Sequence, residues 1–212
     1  MRLHEEQSVA TRGELLNNAT AAMIIIHGRG GTNHQALDLV DHIGVEGFAY
    51  LAPQAANMTW YPHRFIAPRQ QNEPGITSGL NVIYGLVEQA ISAGIPAKKI
   101  MFLGFSQGAC LAGEYVARNP QRFGGAMILS GGLIGTDAEL VGYSGSLDGT
   151  PIFLGCSDID SHIPLQRVHQ STVIFKELGA SVDERIYPGM GHTINAEEID
   201  AVRSYMQQVV AS

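Results

Sequence analysis

The chain has 212 residues, 45% hydrophobic and 16% charged, which excludes a disordered polar chain and leaves enough apolar matter for one sizeable core. Thirteen Lys and Arg stand against 20 Asp and Glu, a net charge of −7, so nucleic acid is not an expected partner. The longest strongly apolar run, Ala21 to Ile26, is far short of the roughly 20 residues that span a bilayer, so no membrane partner is expected either.

The opening Met1-Arg2-Leu3-His4-Glu5-Glu6 carries neither an export nor a transit signal. Cys110 and Cys156 provide no disulfide framework and fit a reducing compartment. The expectation is one cytoplasmic domain over residues 1–212. A homodimer is compatible with the sequence, but no feature demands one.

In chain order, an edge strand is expected around Val9, then a strand over Met23–Ile26 leading into His27-Gly28. Further strands are expected at Phe48–Ala52, Ile100–Leu103, Ala126–Leu129, Ile152–Leu154 and Val182–Tyr187. These runs are apolar throughout rather than alternating, as a sheet covered on both faces requires. Between them, Ile76, Leu80, Ile83, Val87 and Ile91 recur at helical spacing. So do Leu165, Val168, Thr172, Phe175 and Leu178, and then Ile199, Val202, Met206 and Val209 behind an Asn195/Glu198 cap.

This alternation predicts an α/β fold with a mainly parallel central sheet and helices on both faces. The irregular segments 53–74 and 131–150 are expected to form loops over the carboxyl ends of the strands, where sites form.

The sharpest chemical signal is Gly104-Phe105-Ser106-Gln107-Gly108, between an apolar strand and a helical run. A tight strand-to-helix turn of this kind lifts a serine oxygen above the sheet, and side chains in place of the flanking glycines would collide with their surroundings. A hydroxyl needs an imidazole base, and the imidazole needs a carboxylate to fix its tautomer. His192, in Gly189-Met190-Gly191-His192 after the last strand, has the chain position of the base. The acid has two candidates, Asp158 and Asp160, and chain order does not choose between them.

Glycine-rich His27-Gly28-Arg29-Gly30-Gly31 has the position of an oxyanion loop, making the backbone N–H groups of Arg29 and Gln107 the expected pair. It completes neither a dinucleotide-binding fingerprint nor a P-loop.

Together, His27–Gly31, Gly104–Gly108, Asp160–Pro164 and Gly189–His192 resemble the phospholipase/carboxylesterase family of serine α/β-hydrolases, which includes acyl-protein thioesterases and small bacterial carboxylesterases. The resemblance runs from about residue 21 to 192. It implies an α/β-hydrolase fold without a cofactor, and a triad of Ser106, His192 and Asp160, the aspartate four residues before Pro164. Counted instead from the strand-end Gly155, Asp158 would match. His27-Gly28-Arg29-Gly30 and the segment from Ala52 to Pro62 are closer to the bacterial esterase branch than to the protein-depalmitoylating one.

Trp60, Tyr61 and Phe65 are read either as walls of a substrate pocket or as anchors of a long loop. Arg29's side chain is expected to be solvated or ion-paired, and both cysteines to be core residues. His34 and His42, eight apart on an expected helix, and His162 with His169 lack the spacing of a metal site, so no metal is expected. The expected activity is hydrolysis of small soluble carboxylic esters, with thioesters as a further substrate class, through an acyl-enzyme on Ser106. The rivals are a non-catalytic binding protein using the same cleft, and a phospholipase or thioesterase for longer acyl chains.

Overall fold

The structure is a computed structural model and describes residues 3–212. Its strands are β1 (Val9–Gly13), β2 (Ala21–Ile26), β3 (Phe48–Pro53), β4 (Ile100–Phe105), β5 (Gly125–Leu129), β6 (Pro151–Ser157) and β7 (Ser181–Tyr187). They form one seven-stranded sheet in the order β1-β3-β2-β4-β5-β6-β7, parallel except for the antiparallel edge strand β1. The helices are α1 (Asn33–Asp38), α2 (Val40–Ile43), α3 (Gly75–Ser92), α4 (Gln107–Arg118), α5 (Leu165–Glu177) and α6 (Ala196–Ala211).

Period-two packing explains the uninterrupted apolar runs. In β2, Ala22, Ile24 and Ile26 join a core layer with α3, α4 and α5, while Ala21, Met23 and Ile25 join the layer under α1, α2 and α6. Phe102 of β4 packs between Tyr115 and Phe123 on the first side, with ring centroids at 5.3 and 5.0 Å. Burial of each such ring removes most of its apolar surface from water, which is why both faces of the central strands stay apolar. The outermost strand β7 is only partly buried and carries Asp183, Glu184 and Arg185.

Two sequence expectations are corrected here. His34 and His42 do not share one helix: α1 stops at Asp38, and α2 is a separate turn. The strand expected over Val182–Tyr187 is present as β7, which begins one residue earlier. The 131–150 segment contributes nothing to the main cavity described below. It is held behind that lining, where Glu114 accepts the Ile134 N–H, Arg167 donates to the carbonyls of Leu133 and Gly135, and the Gly135 N–H donates to the Phe65 carbonyl. Asn195 and Glu198 form the expected reciprocal cap of α6. Among the described residues, no helix is long and apolar enough to cross a membrane, and no three His, Cys, Asp or Glu side chains gather as a metal-binding group.

Candidate active site

Ser106 occupies the step from β4 into α4 with φ 56° and ψ −119°, a conformation that costs a non-glycine residue about 1–3 kcal/mol. The crowding around it explains the glycines. A Cβ on Gly108 would lie 2.1 Å from the Ile26 carbonyl oxygen, and one on Gly104 would lie 2.4 Å from the Gly108 backbone. The turn is therefore wedged between β2 and α4, and its strain is held by packing.

His192 follows β7 on a short loop whose Gly189 and Gly191 both have positive φ. Its Nε2 lies 2.8 Å from Ser106 Oγ, and its Nδ1 lies 2.7 Å from Asp160 Oδ2. The other carboxylate oxygen of Asp160 accepts the N–H groups of His162 and Ile163 at 2.8 and 3.0 Å. Burial by itself would raise the Asp160 pKa, but the hydrogen bonds from His192, His162 and Ile163 outweigh it and hold the group below its ordinary value. An ionised Asp160 fixes the proton on His192 Nδ1 and leaves Nε2 to accept from the serine. Asp158 is engaged elsewhere. Its Oδ1 accepts the Gly189 N–H at 2.8 Å, and Ser157 Oγ accepts the Gly191 N–H at 3.0 Å. One aspartate thus meets the imidazole, and the other ties down the loop that carries it.

The backbone N–H groups of Arg29 and Gln107 donate to no protein acceptor among the described residues, and that of Gln107 opens α4. Free amides beside a helix N-terminus favour a developing negative charge. Their side chains hold the opposite wall. Gln107 accepts the Trp60 N–H at 2.8 Å and donates to the Tyr61 carbonyl at 2.8 Å. Arg29 donates to Thr59 Oγ1 and to the carbonyls of Tyr61 and His63 at 3.0, 2.8 and 2.9 Å. Arg29 is exposed, as expected of a solvated side chain, and its guanidinium is held by these neutral acceptors rather than by a carboxylate. Nothing in the spacing of the sequence signals these two clamps.

His27 is a buried strut: its Nδ1 lies 2.7 Å from the Gly28 carbonyl oxygen, and its Nε2 accepts the Ala55 N–H at 3.0 Å. Burial pushes its pKa down, so the ring is neutral.

A cavity of about 910 Å³ opens over Ser106 and His192, with Tyr61 and Phe65 in its wall. Trp60 is not part of that wall, which corrects the pocket reading for this residue. It is fully buried, and its indole N–H donates to the His27 carbonyl at 2.9 Å. Its aromatic character anchors the segment behind the cavity. Cys110 and Cys156 are both buried free thiols, and burial pushes each up to about 12, so neither is a nucleophile at neutral pH.

A parallel sheet sandwiched by helices, with a serine at this turn and a histidine after the last strand, defines an α/β-hydrolase fold. The chain belongs to the phospholipase/carboxylesterase family, whose model matches residues 14–210. It is 38% identical to a phospholipase/carboxylesterase from Dyadobacter fermentans, whose crystal structure superposes with a TM-score of 0.91 over 96% of this chain and 97% of that one. It is 28% identical to acyl-protein thioesterase 1 of Neurospora crassa over 95% of this chain and 93% of that protein. A Bacillus cereus carboxylesterase at 14% identity shares the fold, with a TM-score of 0.74 over 96% of this chain and 95% of that one. The family's chemistry is hydrolysis of esters or thioesters, and this chain is a hydrolase of that kind.

Proposed function

We propose that the chain is a serine carboxylesterase that cleaves small soluble esters, and thioesters as a further class, through an acyl-enzyme on Ser106. The observation that carries this reading is the continuous line Ser106–His192–Asp160, with contacts of 2.8 and 2.7 Å. His192 Nε2 takes the Ser106 proton as Oγ attacks the carbonyl carbon, and the tetrahedral oxyanion receives the Arg29 and Gln107 amides. His192 then hands its proton to the departing alkoxide or thiolate, leaving Ser106 acylated. Water, deprotonated by the same nitrogen, cleaves the acyl-enzyme and releases the acid. Asp160 stabilises the imidazolium in both halves. The mechanism needs no cofactor.

The cavity's volume suits a small-molecule ligand, and its walls supply the apolar contacts a short acyl or aryl group needs. Two unpaired thiols agree with a cytoplasmic setting. Purified protein should hydrolyse p-nitrophenyl butyrate and should label with a fluorophosphonate. Ser106→Ala should lose both properties while retaining its circular dichroism, and retained turnover in that variant would overturn the assignment. A series of ester and thioester chain lengths compared by kcat/KM then locates the acyl optimum.

A further inference from the structure

Charge is distributed unevenly around the cavity. The chain as a whole is acidic, at −7, yet no Asp or Glu lines the cavity, whereas Arg29 and Arg64 both do. Elsewhere arginine charge is met by carboxylates: Arg12, Arg69, Arg118, Arg167, Arg185 and Arg203 each pair with at least one. Among the described arginines, Arg29, Arg64 and Arg122 do not, and two of these three line the cavity. Asp160 is not a counterion for them, because it is buried behind His192 with both oxygens engaged.

The two guanidiniums differ in what they have left to offer. Arg29 makes three hydrogen bonds, to Thr59, Tyr61 and His63. Arg64 makes one contact of this kind, from Nη2 to the His162 carbonyl at 3.2 Å, so most of its five N–H donors are free. The His162 ring packs 4.6 Å from the His192 ring, and Arg64, which donates to the His162 carbonyl, lines the same cavity as both. The backbone beneath Arg64 is fixed. Fully buried Asn72 accepts the His63 N–H at 2.8 Å and donates to the Arg64 carbonyl at 3.0 Å. A guanidinium on a pinned backbone, with a free donor face and no protein counterion, is organised for bidentate capture of a carboxylate. The second positive charge, on Arg29, strengthens the same field.

We infer that the substrates of this site are anionic esters, carrying a carboxylate on the acyl or the leaving-group half, and that Arg64 is the residue that binds it. The inference deepens the esterase reading and rests on it for the word ester; the carboxylate site itself is testable without turnover.

Two matched pairs separate the two halves. For the leaving group, 4-acetoxybenzoate is compared with its methyl ester; for the acyl group, monoethyl adipate is compared with ethyl hexanoate. In Arg64→Gln, the kcat/KM ratio of anionic to neutral partner should fall about tenfold or more in one pair, which identifies the half that carries the charge. The neutral partner in the same variant controls for folding. Arg122→Gln removes an equal charge at the amino end of β5, away from the cavity, and should leave the ratio as it is.

Binding of 4-hydroxybenzoate and of adipate to Ser106→Ala protein, measured by calorimetry, gives the readout independent of catalysis. At least one should weaken when Arg64→Gln is added. Unchanged ratios and unchanged binding in Arg64→Gln, or equal losses in Arg122→Gln, would overturn the inference and leave the serine mechanism standing. Weakened binding together with full turnover by Ser106→Ala would instead overturn the mechanism and leave the carboxylate site.

Discussion

Asp158 accepts the Gly189 amide across 31 residues of sequence, so the carboxylate that misses the imidazole still determines where the imidazole's loop lies. Asp158 and Asp160 therefore fail differently. Asp160→Asn should lower kcat about a thousandfold or more with little loss of stability, because an amide can present the wrong partner to Nδ1 and fix the wrong tautomer. Asp158→Asn keeps an oxygen that can accept from Gly189 and should cost far less. Steady-state kinetics of the two variants decides the matter, and a larger loss for Asp158→Asn would reverse the assignment.

The glycines at the nucleophile turn and at the oxyanion loop are expected to tolerate substitution unequally. Gly108→Ala forces a Cβ to 2.1 Å from a backbone oxygen that cannot move without shifting β2. It should abolish activity and lower Tm sharply. At Gly30, φ is 78° but nothing lies within 4 Å of a Cβ, so Gly30→Ala should cost only about 1 kcal/mol, the penalty of the left-handed backbone. Thermal melts of the two proteins measure the difference.

Gln107→Ala should separate the two parts this residue plays. The backbone amide at the serine remains, while the buried Trp60 backbone N–H loses its acceptor and the Tyr61 carbonyl keeps Arg29 as its one donor. A stability loss of about 1–3 kcal/mol is expected in urea unfolding, from leaving a buried N–H unpaired. The apparent KM should rise because the wall at Tyr61 loosens. A variant of unchanged stability would mean that the clamp contributes nothing.

Glu198 gives stability a pH dependence of its own. Burial pushes its carboxyl up to about 7, against a partly offsetting hydrogen bond from the Asn195 N–H and with the neighbouring Glu197 charge raising it further. The folded state thus holds a proton that the unfolded chain gives up near the ordinary glutamate value of 4.5. This group's contribution is fully present below about pH 4.5 and is lost as pH rises through 7, a loss of about 3 kcal/mol. Glu198→Gln keeps an acceptor for Asn195 and has no proton to lose. Its urea midpoint should overtake that of the unmodified protein above neutral pH, and parallel pH profiles would contradict this.

Much of the architecture is legible in the sequence because each strand is a short apolar run closed by a turn residue, and because Ser106 and His192 sit in local glycine-rich turns. Whatever depends on pairing across the sheet is not. Asp158 and Asp160 are two residues apart, and their separate fates are decided by partners more than 30 positions away. Trp60 has the composition of a pocket wall, yet its indole N–H finds a backbone carbonyl beneath the cavity rather than facing into it. The 131–150 segment follows a strand, as loops over a site do, but its backbone is held by Glu114 and Arg167, remote in sequence, and it lines no part of the cavity.

The wall segment from Trp60 to His63 is gripped by Gln107 and Arg29 through backbone groups: the Trp60 amide and the Tyr61 and His63 carbonyls. Its path is therefore prescribed independently of the side chains that Tyr61, Pro62 and His63 turn toward the cavity. Tyr61 is itself packed into the core, whereas exposed Pro62 and His63 form an interchangeable facing on a fixed frame. New substrate preferences can be installed there by exchanging residues, without rebuilding the machinery at Ser106.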